Sequence, residues 1–153
     1  MIYSIEKGKE NSILRNVAKE ITCFDEKLKQ VYDNMVETIR KEGGCGLAGP
    51  QVGFPFRIFI ILDPRTQRVS CYCNPVIKKQ SDEICIVEEG CLSLPNLWGK
   101  VKRPCIVSIE ARNIKGRKVR VKFDEVLSRI AQHEIDHLNG ILFCDKGYDF
   151  IKE

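Results

Sequence analysis

Gln132-His133-Glu134-Ile135-Asp136-His137-Leu138 contains both histidines of this 153-residue chain. Val126, Leu127, Ile130 and Leu138 recur around it with helical spacing, predicting a helix from about Glu125 to Asn139 with Asp124 as N-cap and Gly140 as stop. Positions i and i+4 share one face of a helix, about 6 Å apart along the axis. Two imidazoles so placed can grip one metal ion, and Glu134, next to the first, can reach a water on that ion. This is the pattern of metal hydrolases, two ligands and a general base. One side of such a helix is buried, and there two neutral histidines and a carboxylate need partners, which a metal ion supplies.

A catalytic centre needs a third protein ligand and an open position. No third histidine exists, and the carboxylates after His137 are Asp145, Asp149 and Glu153, so carboxylate and cysteine are the ligand types to weigh. Cysteine is attractive because thiolate is a strong, soft ligand. Among the cysteines Cys91 stands out by its setting, Glu88-Glu89-Gly90-Cys91-Leu92-Ser93-Leu94-Pro95. Gly90 lets the backbone approach a metal closely, and Pro95 stiffens the segment.

A third stretch runs from Gly43 to Gly53 and holds five glycines in eleven residues, with Gln51 as an amide donor. A substrate backbone could lie against it; the bland alternative is a turn after a helix. It lacks the Gly-Lys-Ser/Thr ending of a phosphate-binding loop.

Further out, Leu28, Val31, Tyr32, Met35, Val36 and Ile39 form one apolar stripe, predicting a helix over residues 22–42 capped by Thr22 or Asp25 and ended by Gly43-Gly44. Arg57–Asp63 carries the unbroken apolar run of a strand buried on both faces. Val69–Val76 and Ile84–Glu88 are shorter strand candidates. Cys105–Arg112 and Arg117–Phe123 form a hairpin around Asn113-Ile114-Lys115-Gly116, with Val119, Val121 and Phe123 on the inner face. Strands first and a helix last predict an α+β fold. Cys71 and Cys73 are expected at two inward positions of their strand, and Leu97 and Trp98 either in a partly exposed apolar rim near the site or in the core.

Composition is that of a globular chain, 43% hydrophobic and 30% charged, which argues against disorder. The net charge of +4 is dispersed and does not mark a nucleic-acid binder. No apolar run approaches the roughly 20 residues of a spanning helix, and Met1–Glu10 lacks a secretory core. Eight cysteines are about 5% of residues, below the roughly 8–10% of a disulfide scaffold. They are expected to be mostly free thiols, buried as small hydrophobes, in a reducing cytoplasm.

Together the three segments resemble the peptide deformylase family, whose motifs Gly-x-Gly-Leu-Ala-Ala-x-Gln, Glu-Gly-Cys-Leu-Ser and Gln-His-Glu-x-Asp-His-Leu stand here as Gly44–Gln51, Glu89–Ser93 and Gln132–Leu138. Ser12-Ile13-Leu14-Arg15 with Ala18, and Val101-x-Arg103, extend the resemblance over nearly the whole chain. It implies one catalytic domain over residues 1–153, with antiparallel β-sheets packed around a central helix carrying HExxH, and an N-terminal helix. Cys91, His133 and His137 would bind one divalent metal ion, Fe²⁺ natively, with Zn²⁺ or Ni²⁺ in purified protein. Glu134 would be the base that activates water and later protonates the leaving amine. The Leu92 N–H and the Gln51 amide would hold the oxyanion. Gly44, Cys45 and Gly46 would pair with the extended peptide, and Glu89, Gly90, Arg103 and Ile130 would complete the substrate site. Arg103 has a second reading, pinning a carboxylate such as Glu42; Arg129 would flank the methionine pocket beside Ile130.

The implied reaction removes the formyl group from the formylmethionine of a nascent polypeptide and releases formate. The partner is that peptide, with at most transient ribosome contact, because Phe143–Glu153 does not supply a long C-terminal helix; no membrane and no specific nucleic acid are expected. Two departures bear on pocket shape: Cys45 stands where a branched aliphatic is usual, and Gly49 replaces the second Ala of the first motif. The alternatives are a catalytically weakened paralogue, a general HExxH metallopeptidase, and a closed structural metal site of Cys71, Cys73, Cys85 and Cys91.

Overall fold

The computed structural model describes residues 1–153. In chain order the elements are α1 (Ser12–Arg15), α2 (Glu26–Glu42), β1 (Gly46–Ala48), a 3-10 turn (Gly49–Val52), β2 (Ile58–Leu62), β3 (Val69–Gln80), β4 (Ile84–Cys91), β5 (Leu94–Pro104), β6 (Ile106–Arg112), β7 (Lys118–Asp124), α3 (Glu125–Leu138), α4 (Phe143–Lys146) and β8 (Tyr148–Lys152). Five strands form one sheet in the order β1-β2-β3-β6-β7 and three form another in the order β4-β5-β8, with every pairing antiparallel. This is the α+β architecture expected.

The two faces of β2 explain its apolar run. Phe59 and Ile61 join Tyr72, Val107, Ile109 and Phe123 against Ala131, Ile135 and Leu138 of α3. Ile58, Ile60 and Leu62 point the other way, onto Leu28, Met35 and Ile39 of α2. The large sheet is thus covered by a helix on each face, and alternate residues of one strand feed two cores. A third, smaller core of Leu14, Leu94, Val101, Leu142 and Phe143 ties the small sheet to α1 and α4.

Local chemistry sets the ends of α2. Asp25 accepts a hydrogen bond from the Leu28 N–H at 3.0 Å, so the helix begins at Glu26, leaving Thr22 outside. Gly43 closes it at φ +78°, the left-handed conformation that glycine adopts without penalty. On α3 the Asp124 side chain makes no capping bond.

Several strands exceed their expected bounds. β3 continues past Val76 to Gln80 because β6 pairs with it along that length. β5, which contains Pro95, Gly99 and Pro104 and lacks a clean alternation, is held by pairing with β4 on one side and β8 on the other. Gly46–Ala48 is an edge strand on β2 rather than a turn.

The cysteine expectation needs correction. Cys85 and Cys105 are joined as a disulfide with Cα atoms 5.2 Å apart, because the antiparallel β4–β5 pair brings the start of β4 back onto the end of β5. The other six are free, and only Cys73 of them is fully buried. Cys71 and Cys73 do face inward, toward the α2 side of the sheet. No helix is long and apolar enough to cross a membrane.

Candidate active site

Cys91 ends β4 just before the tight Leu92-Ser93 turn into β5, and His133 and His137 lie on α3. Their donor atoms all fall within 4.8 Å of one another. The Cys91 Sγ stands 3.3 Å from His137 Nε2. One thiolate and two imidazoles, converging from two elements with no lysine or arginine among them, fit a divalent cation that takes nitrogen and sulfur ligands. The alternative cluster is excluded: Cys85 is spent in the disulfide, and Cys71 and Cys73 lie in the α2-side core, away from Cys91.

Glu89 organises the support behind these ligands. Its Oε1 receives His133 Nδ1 at 2.9 Å, so Nε2 is the nitrogen that ring offers to a metal. Arg103 grips both Glu89 oxygens, at 2.6 and 2.9 Å, and reaches Asp136 at 2.8 Å. Arg129 also bonds Glu89, and Lys146 holds the other Asp136 oxygen at 3.0 Å. Buried charges are tolerated only when paired and hydrogen-bonded like this. Burial works to raise the Glu89 pKa, but Arg103 and His133 outweigh it and hold the carboxyl well below the usual range.

Arg103 therefore pins carboxylates, the second of its two expected roles. It is 3% exposed, and its partners are Glu89 and Asp136 rather than Glu42, because β5 turns it inward beneath α3. Glu89 does line the cavity, but Arg103, Arg129 and His133 occupy its oxygens. Nothing in the spacing of residues 89, 103, 129 and 136 announces this network; strand pairing and helix docking assemble it.

Glu134 projects into the site from the same helix. Burial raises its carboxyl to about 7, against the opposing pull of His133; a cation beside it would favour the charged form. Its Oε1 is buried with no partner in the protein, leaving an acceptor for a water or substrate proton. A Cβ placed on Gly46 would come within 2.5 Å of Glu134 Oε2 and 2.8 Å of Ile130 Cγ2, so only glycine lets β1 pass this close. Gly90 is equally constrained, with the Trp98 ring 2.8 Å from its hypothetical Cβ.

Gln51 is 1% exposed on the 3-10 turn. Its Oε1 accepts from the Ala48 N–H at 2.9 Å, which turns Nε2 toward Ser93 Oγ at 3.2 Å and Cys91 Sγ at 3.6 Å. The donor end of the amide therefore faces the candidate metal ligands. A cavity of about 470 Å³ opens here, bounded by Gly44, Cys45, Gly46 and Gln51 on one side, Gly90, Cys91 and Leu92 on another, and Ile130, His133 and Glu134 below. Trp98 and Arg129 also reach it. β1 pairs with β2 alone, so its other edge is free to take an added strand.

The family model for polypeptide deformylase matches residues 2–151. A peptide deformylase of Acetivibrio thermocellus is 42% identical over 148 residues, 97% of this chain and 84% of that protein. One of Parafrankia sp. is 44% identical over 134 residues, 88% of this chain and 73% of that protein. The crystal structure of peptide deformylase from Thermotoga maritima superposes with a TM-score of 0.91 at 34% identity, covering 97% of this chain and 99% of that one. That of Synechococcus elongatus, in complex with actinonin, gives 0.91 at 33% identity over 96% and 79%. With a family model matched over residues 2–151 and relatives above 40% identity over most of its length, the chain belongs to the polypeptide deformylase family.

Proposed function

We propose that this chain, acting as one catalytic domain, removes the formyl group from the N-terminal formylmethionine of nascent polypeptides and releases formate. The carrying observation is the meeting of Cys91, His133 and His137 beside the unpartnered carboxylate of Glu134, at the free edge of β1. Cys91 Sγ and one nitrogen of each histidine would hold a divalent ion, Fe²⁺ natively, with Zn²⁺ or Ni²⁺ in purified protein. When bound, such an ion lowers the pKa of a water and polarises a carbonyl.

The protein's own groups do the rest. Glu134 takes a proton from the attacking water and passes it to the leaving amine. The Gln51 amide, already aimed at the site, and the Leu92 N–H stabilise charge on the formyl oxygen. The peptide lies along β1 as an added strand, with Gly44 and Gly46 leaving room for its backbone. Ile130 and Cys45 border the space for the methionine side chain. The enzyme works in the cytoplasm, on the formylated N-terminus of the nascent peptide.

The test is formate release from a formylmethionyl peptide by protein loaded anaerobically with Fe²⁺, Ni²⁺ or Zn²⁺. Release confined to formylated substrates is expected. Cleavage of internal bonds without regard to a formyl group would make the chain a general metallopeptidase.

A further inference from the structure

The bridged cysteines lie outside the site but on its support. Cys85 is on β4, the strand that carries Glu89 and Cys91, and Cys105 follows β5. The Cys85 carbonyl accepts from Arg129 Nη2 at 2.9 Å. Nη1 of the same guanidinium bonds Glu89 Oε2 and, at 3.1 Å, the Val101 carbonyl on β5. Glu89 in turn holds His133. One arginine thus links the bridged end of the β4–β5 pair to the carboxylate that orients a metal-ligand ring. β4 is an edge strand, and Ile84, Ile86 and Val87 are 50, 52 and 49% exposed. Its first residues are held by β5, by the bridge and by the Arg129 bond to the Cys85 carbonyl.

The sulfurs are within reach of a reagent. A surface cavity of about 260 Å³ is lined by Cys85, Cys105, Pro104 and Arg129. Cys85 is half-buried and Cys105 only 9% exposed, so Cys85 meets an incoming thiol first. In a reducing compartment a disulfide is usually transient or redox-responsive rather than structural.

We propose that Cys85–Cys105 is a thiol–disulfide exchange site for dithiols, and that its redox state sets how firmly Arg129 and Glu89 hold His133. A thiolate of the dithiol attacks the Cys85 sulfur. The S–S bond breaks, and its electron pair leaves on the Cys105 sulfur, which takes a proton. The second thiol of the reagent then attacks its own sulfur in the mixed disulfide, closing the reagent's disulfide and releasing Cys85 to be protonated. Two electrons and two protons pass from dithiol to protein; an oxidised dithiol reverses the step. With the bridge open, the Cys85 end of β4 frays and the arginine–carboxylate–imidazole chain loosens. The effect on metal rests on the ligand set proposed above; the exchange itself does not.

The test uses the full chain, purified in air and loaded with Zn²⁺. Alkylation and peptide mapping are expected to find Cys85 and Cys105 blocked, and both modified after native treatment with dithiothreitol. After anaerobic desalting, zinc transfer to an excess of chelator is expected to run about three- to tenfold faster in the reduced form, below the roughly 10–100-fold lost with an outer-shell partner. Hydrogen exchange over Val87–Cys91 reads the same loosening without metal. A Cys85→Ser/Cys105→Ser variant is expected to match the reduced rate with or without dithiol, and the reduced native sequence carries the test if that variant misfolds. Open thiols at both positions in the air-purified protein, or a bridge that resists native dithiol, overturns the exchange site. Equal zinc transfer and equal hydrogen exchange in the two forms overturns the coupling. Failure to bind zinc in either form would tell against the proposed function alone, since thiol mapping and hydrogen exchange read this inference independently.

Discussion

Glu89 and His133 meet at 2.9 Å across two elements, the β4 strand and the α3 helix, with the imidazole Nδ1 against a carboxylate oxygen. The carboxylate is itself locked by two arginines. Its negative charge fixes which nitrogen carries the proton, turning Nε2 toward Cys91 and His137 and making it a better donor.

Glu89→Gln is expected to weaken metal binding by about 10–100-fold, the usual loss for such an outer partner. Competition against a chromogenic chelator checks it. An unchanged dissociation constant would mean His133 is oriented by packing alone.

Glu134→Ala is expected to lower kcat/KM by about 10²–10⁴-fold, the range of a general acid–base contribution, with metal content unchanged. Formate release and elemental analysis on one preparation read both. Most of the activity surviving would remove Glu134 from its assigned role.

Gly46→Ala and Gly49→Ala should fail in different ways. At Gly46 the new methyl meets the Glu134 carboxylate and Ile130, so the base is displaced; a misplacement near 1 Å can cost about 100-fold in rate. At Gly49 the methyl would stand 2.6 and 2.7 Å from the Phe54 and Phe56 carbonyl oxygens. Restoring the family's usual alanine there is expected to destabilise by about 1–3 kcal/mol, as overpacking does. Turnover and thermal melts of the two variants separate these effects.

Asp145 is held below the ordinary carboxylate range by Arg15, whose Nη2 lies 3.1 Å away, and by the Leu142 N–H. The native pKa is depressed, so the stabilisation is present above the unfolded value of about 3.9 and is lost as pH falls through the native one. An NMR titration should show the Asp145 midpoint rising in Arg15→Ala. A midpoint that stays put would assign the depression to the Leu142 N–H instead.

Local sequence was enough for the Gly43 end of α2, with its start narrowed to Thr22 or Asp25, the two-faced burial of Ile58–Leu62, the hairpin ending at Phe123, and the pairing of His133 with His137 one turn apart. Each depends on contacts between near neighbours or on a simple period of apolar residues, and both are written along the chain. Cys91 could be singled out by its flanks, but its meeting with the histidines required β4 to dock beside α3. The Arg103–Glu89–Arg129 cluster, the close passage of Gly46 by Glu134 and the Cys85–Cys105 bridge were decided by tertiary structure alone. They join residues up to 88 positions apart, at distances set by strand register and helix placement, and no periodicity or composition encodes a contact of that kind.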